Sequence, residues 1–187
     1  MTTIATQTMK MNVTLIKYPS ENDWAFCKQC ALVTVGLTPK QAPDEQWKKA
    51  ILQAKHSPIR VLNFAFLLES VPSWVSVHLC RHVHAQPFVK TQRNDRQYQY
   101  DRNKAPQDAP VNMIWYMNAE EIMTIAAKRL CLKASPETRA VIKEICNLVI
   151  EKCPEFEGLL KPACEWQGWR CYEIQPCGRN FEKGVDF

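Results

Sequence analysis

Glycine is almost absent from the central part of this chain, and that absence limits which binding motifs the chain can build. The 187 residues include five glycines, and none of them stands between residues 37 and 157. A dinucleotide-binding turn, a P-loop and a Gly-x-Ser-x-Gly elbow all require glycine where the backbone approaches a phosphate or turns sharply. If the chain binds nucleotides, its side chains must therefore hold the phosphates.

Composition favours a folded, soluble protein with one main core. Hydrophobic residues make up 46% of the chain and charged residues 23%, and the mean hydropathy is -0.33. No apolar run approaches the roughly 20 residues that span a bilayer, and the first residues lack a secretion-signal pattern. The nine cysteines are an odd number, which argues against a disulfide framework and favours reduced thiols. We therefore expect a cytoplasmic protein that does not enter a membrane.

The apolar pattern predicts an α+β fold, with a mixed or antiparallel sheet and flanking helices. Alternating or continuous apolar residues predict strands at 11–17, 61–68 and 111–117, and a strand or extended loop at 88–95. Capping residues before helical patterns predict helices at 21–35, 44–55, 74–82, 118–133 and 136–152. At the start of the fourth of these helices, Asn118 and Glu121 have the spacing of a capping box.

Positive charge collects in one stretch of the sequence. All four histidines lie between residues 56 and 84, and residues 70–94 contain no carboxylate. The same stretch carries Arg81, Lys90 and Arg93. A cationic segment without acids is what an anion site requires, and a solvated basic surface is the simpler alternative. The net charge of +5 suits an anionic ligand but does not demand a nucleic acid.

Arg129 is the second unusual cation. It falls on the apolar stripe of its predicted helix, after Ile122, Ile125 and Ala126. A buried guanidinium needs an anionic or hydrogen-bonding partner, because an unpaired buried cation is very costly. That partner is either a ligand phosphate or carboxylate, or an internal acid such as Glu137.

The order and spacing of these residues resemble a known family, the flavin-dependent thymidylate synthases. That family carries Arg-His-Arg, seven residues, a serine, and an arginine two residues later; here Arg81-His82-Val83 is followed at the same spacing by Thr91 and Arg93. The resemblance covers roughly residues 10–160. It is supported by four further motifs in the same order: His56-Ser57-Pro58, Met117-Asn118-Ala119, Arg129 and Lys152-Cys153-Pro154.

The resemblance implies a fold like that of the thymidylate synthase complementing proteins, and a transferase activity. In that family dUMP accepts a methylene group from methylenetetrahydrofolate, and FAD reduced by NADPH delivers hydride. The enzymes are homotetramers. We therefore expect a methyltransferase-like flavoprotein of thymidylate biosynthesis that acts on dUMP or a related pyrimidine deoxynucleotide.

Site residues follow from the resemblance position by position. Arg81, Thr91 and Arg93 would hold the phosphate and sugar of the nucleotide. Arg129 would act as a catalytic and substrate-binding residue at the pyrimidine carbonyl. The positions that match flavin contacts are Ser57, His82 and Asn118.

Several signature positions differ from the family pattern. Val83 replaces the second arginine, and Thr91 replaces serine but keeps a hydroxyl. Arg60 stands where the family has glutamate, and Lys133 where it has a flavin-binding histidine. Three alternatives follow: a nucleotide-binding relative without flavin chemistry, transfer of a hydroxymethyl rather than a methyl group, and a weaker one, a nucleic-acid binder using Tyr98-Gln99-Tyr100.

The C-terminal segment is rich in cysteine and tryptophan. We divide the chain into a synthase-like domain at 1–160 and an extension at 161–187. Four thiols separated by irregular loops can close a tetrahedral zinc site, and ordinary thiols on a docking tail are the alternative. The candidate zinc ligands are Cys153, Cys164, Cys171 and Cys177.

Overall fold

The architecture is a single four-stranded sheet covered by helices. The computed structural model describes residues 11–96 and 101–179. Neighbouring strands are all antiparallel, in the order β1-β2-β4-β3, which confirms the predicted α+β class. The strands are β1 (Asn12–Lys17), β2 (Asn63–Pro72), β3 (Gln86–Val89) and β4 (Pro110–Asn118).

Alternating side chains give the sheet one buried and one open face. Along β4, Val111, Met113, Trp115 and Met117 are buried, while the side chains between them are exposed or half-buried. This alternation is the period of two that a half-buried strand requires. The helices cover the buried face, so the opposite face is left without a covering layer in the described chain.

Local signals set the helix ends. Ser20 caps the first helix through a capping box with Asp23, and Asp44 and Ser135 accept hydrogen bonds from the first turns of two others. Pro136 occupies the first position of the longest helix, where its missing N–H costs nothing. The helices are α1 (Glu21–Val33), α2 (Glu45–Gln53), α3 (Ser73–Leu79), α4 (Ala119–Arg129), α5 (Pro136–Lys152) and α6 (Ala163–Trp166), with short 3-10 helices at Ser57–Val61, Asn94–Arg96 and Pro154–Phe156.

Two helices bring distant parts of the sequence together. α3 follows β2 directly and α4 follows β4 directly, and the strands β2 and β4 are antiparallel neighbours. The two helices therefore start at opposite ends of this strand pair. α3 begins beside Pro110, and α4 begins beside Asn63. Their C-terminal ends meet, because Arg129 at the end of α4 donates a hydrogen bond to the carbonyl oxygen of His78.

Some predicted boundaries were wrong. The third and fourth helices end at Leu79 and Arg129, earlier than expected, because each continues as a turn rather than as a helix. The segment expected at 88–95 is a shorter strand that begins at Gln86. Tyr98-Gln99-Tyr100 lies outside the described residues.

Large aromatic side chains fill the space between the sheet and the helices. Trp24, Phe64, Phe66, Trp115 and Phe156 are all 1% exposed or less. The rings of Phe64 and Phe156 pack edge to face with centroids 5.6 Å apart, which joins β2 to the chain after α5. No helix in the described ranges is long and apolar enough to cross a membrane.

The chain on both sides of the predicted boundary at residue 160 packs on the core. Leu159 and Leu160 are buried, and Trp166 is partly buried against the core cluster. The ammonium groups of Lys55 and Lys161 lie 4.5 and 4.9 Å from the centre of the Trp166 ring. The division at residue 160 stays a prediction.

Removing the Phe156 ring tests this core. Phe156→Ala is expected to lower the free energy of unfolding by about 3–5 kcal/mol, because it leaves a cavity beside Phe64. Urea denaturation followed by circular dichroism measures the change. Ile174→Ala, at a fully exposed position, is the control and should shift stability by less than about 0.5 kcal/mol. Equal effects of the two variants would contradict this packing.

Candidate functional site

Arg129 is held in place by two hydrogen bonds across the α3–α4 contact. Its Nε donates to Nε2 of His82 at 2.9 Å, and one Nη2 hydrogen is donated to the carbonyl oxygen of His78 at 3.1 Å. The predicted internal partner, Glu137, is not one of these groups. Neither acceptor carries a full negative charge, so the guanidinium keeps its positive charge available to a ligand.

His82 is neutral in this arrangement. Burial, and after it the nearby Arg129 charge, lowers the pKa of His82 from 6.5 to about 4. Arg129 always donates, so Nε2 of His82 must carry a lone pair and the ring proton must sit on Nδ1. The edge of the ring lies against buried Trp115, with ring centroids 6.1 Å apart.

Glu121 joins Arg129 and His82 in this group, although the sequence analysis assigned its side chain to a capping box. The Asn118 side chain caps α4 by accepting from the Glu121 N–H at 3.0 Å, as predicted. The reciprocal half of the capping box is absent, because the Glu121 carboxylate lies 3.3 Å from Nδ1 of His82 instead. Burial raises the pKa of this carboxyl, whose residue is only 4% exposed.

Arg81 lies beside this group at an open cavity. Its positive charge is close enough to Arg129 to lower the pKa of that guanidinium further, after the larger effect of burial. Arg81 and His78 line a cavity of about 390 Å³, together with the aromatic ring of Trp74 and the side chain of Gln92. A guanidinium group in a cavity that an indole ring also lines is suited to a phosphorylated, planar ligand.

Thr91 and Arg93 lie on the segment that follows β3. Between them, Gln92 lines the same cavity and donates to the Ser73 hydroxyl at 3.3 Å. The Arg93 side chain is exposed and pairs with Asp95 through Nε at 2.9 Å and Nη2 at 2.5 Å. The structure thus places this predicted pair at the cavity's border, with Arg93 turned toward its own carboxylate neighbour.

Ser57 and Asn118 lie at the other end of α4. Ser57 is exposed and begins a 3-10 helix, and Asn118 is half-buried at the end of β4. An ion pair between Arg60 and Glu120 joins these segments, and the Ala119 N–H donates to the Leu62 carbonyl at 2.9 Å. The three predicted cofactor residues therefore lie in two places. His82 contacts Arg129, whereas Ser57 and Asn118 lie near the N-terminal end of α4.

The predicted zinc site is not assembled. Cys153 is buried at the end of α5, beside a cavity lined by Trp24 and Lys48. Within residues 11–96 and 101–179, no three His, Cys, Asp or Glu side chains form a group that could hold a metal ion. The other three predicted ligands line a different small cavity, and the thiol that joins them there is Cys131.

Sequence analysis singled out Arg81 and Arg129 but missed the groups that contact Arg129 through His82. Glu121 was assigned to a helix cap, because a carboxylate three residues after an N-cap has that role in isolation. Trp74 and His78 lie on the predicted third helix, and their nearness to Arg81 at spacings of seven and three residues could have indicated a shared face.

Comparison with known proteins agrees with this fold. A family described as "Thymidylate synthase complementing protein" matches residues 97–155. A solved structure of Thymidylate Synthase X from Helicobacter pylori, which contains FAD and dUMP, matches with a TM-score of 0.63 and 12% sequence identity. The match covers 81% of this chain and 97% of that one. None of the curated proteins matches this chain.

These findings confirm the resemblance predicted from the sequence. The chain has the fold of the flavin-dependent thymidylate synthases, and residues 97–155 carry the sequence pattern of their family. The sequence identity to the matched structure is low, at 12%.

The neutral state of His82 predicts how stability changes with pH. The unfolded histidine binds a proton below about pH 6.5, whereas the folded one binds it near 4, so the free energy of unfolding should fall as the pH decreases through this window. His82→Gln keeps an acceptor for Arg129 and does not titrate.

Urea denaturation between pH 7 and 4.5 tests this prediction. The wild-type protein should lose more stability over this range than His82→Gln does. The raised pKa of Glu121 acts in the opposite direction, but it is present in both proteins. Parallel pH profiles would show that His82 is not held neutral.

Proposed function

We propose that this chain is a flavin-dependent transferase that adds a one-carbon unit to C5 of dUMP or a related pyrimidine deoxynucleotide. The observation that supports this proposal best is the pair of neighbouring guanidinium groups Arg81 and Arg129, of which Arg81 lines a cavity together with Trp74. The family match and the shared fold favour the same chemistry. Methylenetetrahydrofolate would supply the one-carbon unit.

Side chains perform the phosphate binding in this proposal. Arg81 binds the nucleotide phosphate, and Thr91 and Arg93 complete the site from the segment after β3, once Arg93 exchanges Asp95 for the phosphate. An exposed arginine–aspartate pair contributes little stability, so this exchange costs little. The absence of glycine in the central chain is consistent with such a site.

Arg129 acts on the base. For C5 to attack the one-carbon unit, the pyrimidine ring must be electron-rich, with negative charge on its carbonyl oxygens. A fixed guanidinium near those oxygens stabilises that charge without reorganising during the reaction. Two of its N–H groups are used by His82 and His78, and the Nη1 amino group has no partner within the described chain.

The residues around the expected flavin fit that cofactor only in part. Ser57 offers an exposed hydroxyl, and Asn118 keeps its amide N–H groups, since only its oxygen is used by the helix cap. His82 does not offer Nε2, which accepts from Arg129, and its Nδ1 lies 3.3 Å from the Glu121 carboxylate. Ser57 and Asn118 would therefore hold FAD, which when bound and reduced by NADPH supplies hydride.

A second candidate function is favoured by the same observation about His82. A relative that binds the nucleotide without flavin would keep Arg81 and Arg129 and lose the histidine contact to FAD. Both ring nitrogens of His82 already have contacts within the protein, which agrees with this alternative. The second signature arginine is also replaced by Val83, whose side chain is 84% exposed.

We also propose that the chain works as a homotetramer in the cytoplasm. The open face of the sheet carries Phe88 paired with Ile114 across β3 and β4, at 62% and 39% exposure. Exposed apolar pairs of this kind mark surfaces that another molecule covers, and we assign a second copy of the chain to this one. All nine cysteines are free, which suits a reducing compartment.

Freshly purified protein distinguishes the two candidate functions. The enzyme should show flavin absorbance and release tritium from C5-tritiated dUMP when given NADPH and methylenetetrahydrofolate. The nucleotide-binding relative should be colourless, with a melting temperature raised by dUMP but not by FAD. Mass spectrometry of the product separates methyl from hydroxymethyl transfer. Protein that neither binds dUMP nor releases tritium would contradict both.

A charge on the open sheet face should disrupt the assembly. Phe88→Glu is expected to convert the tetramer into smaller species, because it places a carboxylate in an apolar contact. Light scattering after size-exclusion chromatography measures the mass. Ile174→Glu, at a fully exposed position in the tail, is the control and should leave the mass unchanged. A monomeric wild-type protein, or a tetrameric Phe88→Glu variant, would contradict this assignment.

A further inference from the structure

Glu121 is a buried carboxylate whose side chain contacts His82, and His82 in turn contacts the proposed catalytic arginine. Its side chain is 6% exposed, and its Oε1 lies 3.3 Å from Nδ1 of His82. Burying a carboxylate is costly unless the charge is matched by hydrogen bonds or an opposite charge. A solvent-facing glutamate at the same place in the first turn would serve the helix equally well, so burial of this one requires another explanation.

Arg129, His82 and Glu121 lie in contact in a row. Arg129 donates through Nε to Nε2 of His82, which leaves Nδ1 of His82 as the protonated nitrogen, and Nδ1 lies 3.3 Å from Oε1 of Glu121. The hydrogen bond from Arg129 therefore fixes which ring nitrogen carries the proton next to the carboxylate. With the opposite tautomer, two donors would face each other at His82 and Arg129, and the bond between them would be lost.

The orientation of Arg129 depends on two anchors. The bond to the His78 carbonyl uses one Nη2 hydrogen and fixes one end of the guanidinium. The bond to His82 fixes the Nε edge, and the two together set the plane of the group and the direction of Nη1. Without the second bond, the guanidinium can rotate about its single anchor.

We propose that Glu121 is a positioning residue: through His82, its carboxylate holds Arg129 in the orientation that binds the pyrimidine. This inference rests on the proposed function, because a nucleotide is the ligand that gives Arg129 its role. The arrangement assigns His82 to the substrate side of the site rather than to the flavin. Glu121 does not itself touch the nucleotide, so its effect passes entirely through the ring of His82.

Two substitutions at residue 121 separate orientation from packing. Glu121→Met has a similar volume and no acceptor, so Nδ1 of His82 loses its partner. Glu121→Gln keeps an amide oxygen that can accept from Nδ1, so it should restore most of the function. Glu144→Met changes an exposed carboxylate on α5 in the same way and is the matched control.

Two measurements on the full-length protein test the proposal. Nitrogen-15 chemical shifts should show the proton of His82 on Nδ1 in the wild type and in Glu121→Gln, and a mixture of tautomers in Glu121→Met. The affinity for dUMP and the rate of tritium release should fall about 10-fold to 100-fold in Glu121→Met, as for a displaced catalytic group, and less than about threefold in Glu121→Gln and Glu144→Met.

The outcomes distinguish this inference from the proposed function. If Arg129→Gln weakens dUMP binding or turnover while Glu121→Met leaves both unchanged, the positioning role is wrong and the proposed function stands. If Arg129→Gln changes neither, the proposed function fails, and the inference fails with it. An Nε2 proton on His82 in the wild type overturns the inference whatever the activity. If circular dichroism shows that Glu121→Met is unfolded, the test uses Glu121→Gln instead. A 10-fold loss of activity in Glu121→Gln with an unchanged His82 tautomer also overturns the inference.

Discussion

The placement of a half-buried guanidinium between two helix ends is the constraint on which the rest of this structure depends. Arg129 closes the contact between α3 and α4, and it can do so only because His82 and the His78 carbonyl accept its hydrogen bonds. Removing such a partner leaves a charge in a poorly solvated place, which costs more than the bond itself contributes. The same bonds that join the two helices therefore also fix the orientation of the charged group.

Side chains perform in this site what glycine-rich backbone performs in many nucleotide-binding folds. The chain has no glycine between residues 37 and 157, and the loops near the cavity present guanidinium, amide and indole groups instead. Such a site tolerates change at individual positions, because no single backbone conformation is required. That tolerance is consistent with a shared fold at 12% identity, and with a signature in which Val83 and Thr91 replace the family residues.

The sequence was a good guide to elements whose signals are local. Ser20, Asp44 and Ser135 each mark a helix start that the structure confirms, because capping involves residues three positions apart. The alternation along β4 is equally local. The partnership of His82 with Arg129 spans 47 residues, and no local pattern contains it. The misassigned role of Glu121 has the same origin, because a distant imidazole competes successfully with the nearby backbone.

The cysteines also show that closeness in sequence does not predict closeness in the fold. Closeness in sequence suggested that Cys153 joins Cys164, Cys171 and Cys177, but Cys153 is fixed at the end of α5 and faces another cavity. Cys131, just beyond α4, reaches the cavity shared by the other three. Order along the chain is a weak indicator of neighbourhood wherever a segment turns back over a helix.

The junction between β4 and α4 contains no spare residue: Asn118 ends the strand and Ala119 begins the helix. The direction in which each face of α4 points is therefore set by the direction of the side chains at the end of β4. A deletion or insertion of one residue in β4 would exchange its two faces, and would also turn Glu121 and Arg129 away from α3. Length changes during the divergence of such proteins should therefore be excluded from this strand and accepted in the segment that precedes it.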